Sequence, residues 1–187
     1  EEDLDVVVLS GDGAAYGMGL SATSAAIDRG LDFLYVCYDN EGYGNTGQQS
    51  SAATPFAAAT ASSTGSGGFP GTKKDLFSIW VANRPTYVAT AIGSEPLDLA
   101  RKIEKAKSLR GPRLVLVLAP CPTGWDFEPS EMADVGRLAV ATGIWPLKEW
   151  EAGRVVHTKV RRPRLPVDRY LERQGRFRHL FEPRRDE

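Results

Sequence analysis

Asp5-Val6-Val7-Val8-Leu9-Ser10-Gly11-Asp12-Gly13 passes from an apolar run directly into an acid flanked by glycines. Asp5 to Ser10 reads as a short buried strand, and Gly17 to Arg29 as a helix of small residues behind the turn. Asp32 to Tyr38, with its core Phe33-Leu34-Tyr35-Val36-Cys37, reads as a second strand. Strand, turn, helix and strand in that order make the βαβ unit of a parallel sheet. The turn then falls at the carboxyl edge, where such sheets hold ligands.

From Asp39 to Thr72 the chain is a long loop rich in Gly, Ser, Thr and Ala. Loops of that length inside a compact domain are usually functional or disordered. Regular pattern returns with a helix near Lys74 to Asn83 and a strand at Tyr87 to Ala91. Glu95 to Leu109 follows as a helix with Leu99, Ile103 and Ala106 on one face and charges on the other. Leu114 to Leu118 is an apolar strand of the kind that helices cover on both faces. A further helix near Ser130 to Thr142 carries Met132, Val135 and Leu138. Pro146 to Trp150 and Val155 to Lys159, joined through Glu151-Ala152-Gly153-Arg154, predict a hairpin. The predicted fold is α/β, a mostly parallel sheet flanked by helices, over residues 1–160. Residues 161–187 form a C-terminal tail, and no internal repeat is present.

The 187 residues, 42% hydrophobic and 25% charged, suit one domain with a sizeable core. A formal net charge of -1 provides no global field for nucleic acid or an anionic membrane. Positive charge is local, at Arg161, Arg162, Arg164, Arg169, Arg173, Arg176, Arg178, Arg184 and Arg185. Tyr170, Leu171, Phe177, Leu180 and Phe181 interleave these arginines, a pattern that favours docking on neighbouring protein chains over nucleic acid. No run of about 18 apolar residues could span a bilayer. Glu1-Glu2-Asp3-Leu4 is not a basic leader, so a soluble, cytoplasmic protein is expected. A start that enters a strand at once leads to the expectation that upstream structure is supplied by another subunit or a removed segment. Two cysteines are too few for a disulfide framework. His157 and His179 have no neighbouring ligand types and read as structural.

The acid in the turn is the anomaly. Glycines let backbone approach a phosphate, and a helix start offers free N–H groups, but Asp12 would repel a bare diphosphate. A divalent cation bridging carboxylate and phosphate removes the conflict, and Mg²⁺ prefers such hard oxygen ligands. The second half of the site belongs at the end of the neighbouring strand, where Asn40 stands. Two plainer readings compete. Gly-Asp-Gly is common in ordinary turns. A degenerate dinucleotide fingerprint would also begin at Gly11, although Tyr16 occupies its third glycine position and Asp12 would have no role.

Gly11-Asp12-Gly13 with Asn40 after one strand excursion is similar to the thiamine-diphosphate motif, with Asp39-Asn40 where that motif often carries Asn-Asn. The run Asp39-Asn40-Glu41-Gly42-Tyr43-Gly44-Asn45-Thr46-Gly47-Gln48-Gln49-Ser50-Ser51-Ala52-Ala53-Thr54-Pro55 is more specific. It resembles the signature loop of pyruvate:ferredoxin oxidoreductases and their archaeal-type β subunits, within the 2-oxoacid:ferredoxin oxidoreductase family. Tyr87-Val88-Ala89-Thr90-Ala91, Pro120-Cys121-Pro122-Thr123-Gly124-Trp125 and Pro166-Val167-Asp168-Arg169-Tyr170-Leu171 continue the likeness in order, through Gln174-Gly175-Arg176-Phe177-Arg178-His179-Leu180.

The resemblance implies thiamine diphosphate on Gly11, Asp12, Gly13, Asn40, Asn45 and Thr46. It implies Mg²⁺ on Asp12, the Asn40 side chain and the Gly42 carbonyl. Asn45 and Thr46 could equally pair with the loop's own backbone, while Gln48, Ser50 and Thr54 are expected to order the loop. Cys121 corresponds to the fourth ligand of a [4Fe-4S] cluster whose other cysteines precede the Gly-Asp-Gly turn. A cubane needs four thiolates. Cys121 is therefore either completed by residues outside this chain or the orphan of a cluster-less relative. Cys37 reads as a small buried residue.

The implied reaction is the reversible oxidative decarboxylation of pyruvate with coenzyme A, giving acetyl-CoA, CO₂ and reduced ferredoxin. Implied partners are a pyrimidine-binding α-type chain, a ferredoxin-like chain, a chain with the remaining cluster cysteines, and ferredoxin itself. The glutamate that activates the aminopyrimidine comes from the other thiamine-binding domain, so no catalytic acid or base is assigned here. Within the family the substrate could instead be 2-oxoisovalerate, oxalate or an aryl glyoxylate. An iron-free thiamine decarboxylase or synthase and a non-catalytic assembly subunit are the readings from other classes.

Overall fold

The computed structural model describes residues 5–63, 67–160 and 162–181. In chain order the elements begin with strand β1 (Val7–Gly11), a π-helical turn (Gly13–Met18), helix α1 (Leu20–Asp28) and strand β2 (Phe33–Asp39). Helix α2 (Leu76–Ala82), β3 (Tyr87–Ile92), α3 (Pro96–Ser108) and β4 (Pro112–Leu118) follow. The chain continues with α4 (Pro122–Trp125), a 3-10 turn (Pro129–Glu131), α5 (Met132–Thr142), β5 (Leu147–Glu151) and β6 (Arg154–Lys159). It ends with α6 (Asp168–Leu171) and a 3-10 segment (Gly175–Leu180).

The strands form one six-stranded sheet in the order β1-β2-β4-β3-β5-β6. The first four run parallel, while β5 is antiparallel to β3 and to β6. This is the predicted α/β sheet flanked by helices. Alternation along the strands splits the core into two layers, because successive side chains leave a strand on opposite faces. Phe33, Tyr35, Cys37, Leu114, Leu116 and Leu118 join one cluster with Trp80 and Val135. Leu34 and Val115 face the other way, with Tyr87, Ala89 and Ala91, against Ala106 of α3. Trp80 meets the Phe33 and Tyr35 rings edge-on, with centroids 6.1 and 5.8 Å away.

The predicted hairpin is present. Ala152 (φ 49°) and Gly153 (φ 81°) make the left-handed two-residue connection that matches strand twist. Four details differ from expectation. β1 is an edge strand with Val7 and Leu9 exposed, because β2 alone pairs with it among the described residues. The predicted Gly17 to Arg29 helix is divided, and a π-helical turn closed by Gly19 N–H donating to the Ala14 carbonyl (2.8 Å) precedes α1. On α3 the charged face is not wholly solvated: Asp98 and Lys102 are buried, with Lys102 Nζ donating to the Thr90 carbonyl and Thr158 Oγ1 at 2.8 Å each.

The fourth difference concerns the tail. Tyr170, Arg176 and Phe177, expected to meet neighbouring chains, are buried within this one, together with Gln174. The Ala59 N–H donates to the Arg176 carbonyl and the Gly175 N–H to the Asp126 carbonyl, both at 2.8 Å, which ties the segment to its own fold. Arg161, Arg184 and Arg185 lie outside the described residues.

Candidate cofactor site

Parallel pairing puts Gly11 of β1 beside Tyr38 of β2, so the residues that follow these strands emerge at one sheet edge. Gly11, Asp12, Gly13, Asn40, Gly42, Asn45 and Thr46 line one cavity of about 210 Å³ there. Sequence reasoning missed Ala14, Met18, Tyr38, Tyr43 and Gly44, which complete the lining. These residues carry no ligand-like chemistry that would have singled them out.

Asp12 is 2% exposed, and the Ser51 hydroxyl donates to its Oδ2 at 2.6 Å. Burial, reinforced by the charge of Asp39, pushes the Asp12 carboxyl up to about 6 against the opposing pull of Ser51 and Lys73. A single terminal atom of the Asn40 carboxamide lies 2.7 Å from the Gly42 carbonyl oxygen and 2.8 Å from Asp12 Oδ1. With nitrogen at that position, Asn40 donates to both. With oxygen there, one amide oxygen faces both a carbonyl and a carboxylate oxygen. Adjacent ligands of an octahedral Mg²⁺, bound at roughly 2.0–2.1 Å, stand roughly 2.9 Å apart. The donor set and its spacing therefore fit a small hard cation. Among the described residues no group of three His, Cys, Asp or Glu side chains could hold a metal.

The loop after Asn40 is ordered by its own side chains. Thr54 Oγ1 donates to the Glu41 carbonyl and accepts from the Ser51 N–H, each at 2.8 Å. Ser50 meets Ser62, and Gln48 packs against the positions a Cβ would take on Gly42 and Gly124. Thr46 is exposed at the cavity rim, its hydroxyl donating to Gln49 Oε1 at 2.5 Å, and Asn45 is exposed beside it.

Asp39 and Glu41, the two neighbours of Asn40 in the chain, belong to an ionic chain that pattern reasoning did not find. Lys73 Nζ sits 2.7 Å from both Asp39 Oδ2 and Glu41 Oε1, and Arg176 Nη2 sits 2.6 Å from Glu41 Oε2. Tyr16 donates its hydroxyl to Asp39 Oδ2 at 2.6 Å. Asp39 is fully buried, and burial raises its carboxyl. Burial acts the same way on Glu41, but Lys73 and Arg176 outweigh it and hold that carboxyl low.

Cys121 follows the end of β4, the strand next to β2, and caps α4 by accepting the Gly124 N–H on Sγ at 3.3 Å. It lies apart from the cavity lining but in the turn that packs on Gln48 of the cofactor loop. Cys37 is fully buried within β2, and burial raises its thiol.

This edge, with an acid between glycines on one strand end and an asparagine on the next, defines a thiamine-binding domain. The chain belongs to the family described as thiamine pyrophosphate enzyme, C-terminal TPP binding domain, whose model matches residues 1–117. Among curated proteins it is 45% identical over 185 residues to pyruvate synthase subunit PorB of Methanosarcina barkeri, covering 97% of this chain and 62% of that one. It is 45% identical to the same subunit of Methanocaldococcus jannaschii, covering 96% and 61%. Ketoisovalerate oxidoreductase subunit VorB of Pyrococcus abyssi is 38% identical, with 96% and 60% covered. The chain thus spans about three fifths of the length of these relatives. Among solved structures it is similar to 2-oxoglutarate:ferredoxin oxidoreductase from Magnetococcus marinus, solved with 2-oxoglutarate, coenzyme A and succinyl-CoA. That match has a TM-score of 0.63 and 21% identity over 99% of this chain and 65% of the other, a likeness of fold. No helix among the described residues is long and apolar enough to cross a membrane.

Proposed function

We propose that the chain is the thiamine-diphosphate and Mg²⁺ component of a 2-oxoacid:ferredoxin oxidoreductase that converts pyruvate and coenzyme A to acetyl-CoA, CO₂ and reduced ferredoxin, reversibly. The observation that carries this reading is the meeting of Asp12 Oδ1, the Asn40 carboxamide and the Gly42 carbonyl at one cavity wall. Asp12, Asn40 and Gly42 would hold the Mg²⁺. The diphosphate would lie along Gly11 and Gly13, with Asn45 and Thr46 at its rim. Bound thiamine diphosphate supplies the nucleophilic carbon and electron sink for decarboxylation. The chain's own residues anchor and orient it, while Ser51 keeps one Asp12 oxygen occupied and leaves the other facing Asn40.

Cys121 is read as the ligand this chain gives to a [4Fe-4S] cluster completed by cysteines elsewhere, since two cysteines cannot hold a cubane. The partners are an α-type pyrimidine-binding chain, a ferredoxin-like chain and the source of those cysteines, in a cytoplasmic complex. Residues 1–160 serve as the pyrophosphate-type domain. Among the described residues of the 161–187 tail, exposed Val167, Leu180 and Phe181 are the large apolar side chains available to meet neighbouring chains.

Pyruvate is preferred because identity to the pyruvate synthase subunits runs from 40% to 46%, against 38% to the ketoisovalerate subunit. 2-Oxoisovalerate is the second substrate reading, ahead of oxalate and aryl glyoxylates. The test uses the chain purified with its accompanying chains. Thiamine diphosphate should bind with Mg²⁺ and be released by a chelator, and pyruvate should reduce ferredoxin only when coenzyme A is present. Retention of thiamine diphosphate in excess chelator by a metal-stripped complex would remove the metal reading. Assembly without any thiamine diphosphate binding would make the chain a non-catalytic subunit.

A further inference from the structure

Glu41 sits between Asn40, whose carboxamide reaches both Asp12 Oδ1 and the Gly42 carbonyl, and Gly42 itself. Its φ is 63°, a left-handed conformation that residues with a Cβ seldom adopt. That reversal of the backbone lets the Asn40 side chain and the Gly42 carbonyl turn toward one point. A conformation of this kind persists only where its surroundings over-determine it.

The surroundings of Glu41 do so at every polar atom. Its N–H donates to Asp39 Oδ1 at 3.0 Å, and its carbonyl accepts from Thr54 Oγ1 at 2.8 Å. Its two carboxylate oxygens take Lys73 and Arg176 separately. Arg176 is the long-range member of this set, 135 residues away in sequence and 4% exposed. It reaches Asn40 by a second route as well. Its guanidinium carbon lies 3.9 Å from the Trp125 ring centre, and the Trp125 indole N–H donates to the Asn40 carbonyl at 2.8 Å. A third tether, Arg176 Nε donating to Gln174 Oε1 at 2.9 Å, fixes the plane of the fork.

We propose that Arg176, acting through Glu41 and Trp125, is a positioning residue for Asn40 and Gly42, so that the C-terminal segment sets the cation affinity of the cofactor site. The inference rests on the metal reading given above. Arg176 touches neither cation nor cofactor. Its effect lies in where the two ligand-bearing residues point, as for other groups that orient a metal's ligands from behind. A planar fork that pairs with a carboxylate while stacking on an aromatic face is a task a lysine ammonium cannot perform.

The experiment titrates Mg²⁺ into the metal-stripped assembled complex and follows thiamine diphosphate binding by calorimetry, for the unsubstituted protein, Arg176→Lys and Arg176→Met. The Mg²⁺ concentration for half-maximal binding should rise about 10-fold to 100-fold in Arg176→Met, the usual effect of removing an outer partner. Arg176→Lys, which keeps the charge and tests the idea if the methionine variant does not assemble, should move in the same direction. At saturating Mg²⁺ both variants should bind thiamine diphosphate close to normally, a pattern that general loosening of the fold does not produce. Variants whose Mg²⁺ curves overlay the unsubstituted one overturn the inference, as does weakened cofactor binding that saturating Mg²⁺ leaves unrepaired. An unsubstituted protein that needs no Mg²⁺ would instead remove the metal reading, and this inference with it.

Discussion

Ser51 donates its hydroxyl to Asp12 Oδ2 at 2.6 Å across 39 positions of sequence, joining the cofactor loop to the acid it faces. The same hydroxyl accepts the Ala53 N–H at 3.1 Å, so it is held from both sides. Ser51→Ala leaves a buried carboxylate oxygen short of its donor, a loss of about 1.5–3 kcal/mol for a bond to a charged group. Ser50→Ala, one residue earlier and bonded to Ser62 at an exposed site, should stay within about 0.5 kcal/mol. Urea unfolding of the two variants in chelator checks the contrast, and equal losses would show that the Asp12 bond carries no special weight.

Gly13 and Gly17 stand on one π-helical turn, and the Tyr43 ring separates their fates. A Cβ on Gly13 would lie 2.2 Å from Tyr43 Cε1, whereas one on Gly17 would meet only the Tyr43 hydroxyl at an ordinary 3.5 Å. Gly13→Ala must push Tyr43 out of the cavity wall, an overpacking cost of about 1–3 kcal/mol. Thiamine diphosphate binding should weaken with it. Gly17→Ala should be neutral or stabilising by up to about 1 kcal/mol, since alanine loses less backbone entropy than glycine in a helical turn. Thermal unfolding together with cofactor binding distinguishes the pair, and tolerance of Gly13→Ala would mean that Tyr43 is free to leave.

The sheet was legible from sequence because apolar runs and turn residues are local signals. Val155 to Lys159 and its partner showed as a hairpin from the glycine between them, and the β1 turn showed its chemistry through Asp12. The ionic chain was not legible. Glu41 and Arg176 are separated by 135 positions, and no spacing rule connects an acid in a glycine-rich loop to one arginine of an arginine-rich tail. Composition made Arg176 resemble its exposed neighbour Arg178, and the stacking on Trp125 that distinguishes them is a fact of tertiary packing. Lys102 was misplaced for the same reason: helical periodicity assigned it to a polar face, and β6 then supplied Thr158 to cover it.

Asp75 caps α2 by accepting the Ser78 N–H at 3.0 Å and the Ser78 hydroxyl at 2.5 Å. Burial raises its carboxyl somewhat, but these donors outweigh it and the net direction is down. A depressed folded-state value means the cap's contribution is present above the ordinary aspartate range and is lost as pH falls through the lowered one. Asp75→Ala should therefore cost about 1 kcal/mol at neutral pH. The difference from the unsubstituted protein should begin to shrink below about pH 4, where the unfolded chain takes up its proton first, and should close as pH falls through the lowered folded-state value. Asp75→Asn keeps an acceptor oxygen and should lose less. Urea midpoints measured from pH 7 down to 3 follow this, and a gap independent of pH would assign the cap to shape alone.

The two cysteines differ in surroundings and should differ in consequence. Cys37 is sealed in β2 with its thiol raised by burial, so it offers no ready thiolate to a metal. Cys121 lies just past the end of β4, partly exposed, and its sulfur accepts the Gly124 N–H. In the assembled complex Cys121→Ser should lower iron content and visible absorbance while leaving Mg²⁺-dependent thiamine diphosphate binding in place, because the cavity lining does not include it. Cys37→Ala should leave the iron untouched and lose about 1 kcal/mol of stability through a small cavity. Unchanged iron in Cys121→Ser would make Cys121 the orphan of a cluster-less relative, and loss of iron in Cys37→Ala with the fold intact would reverse the assignment of the two sulfurs.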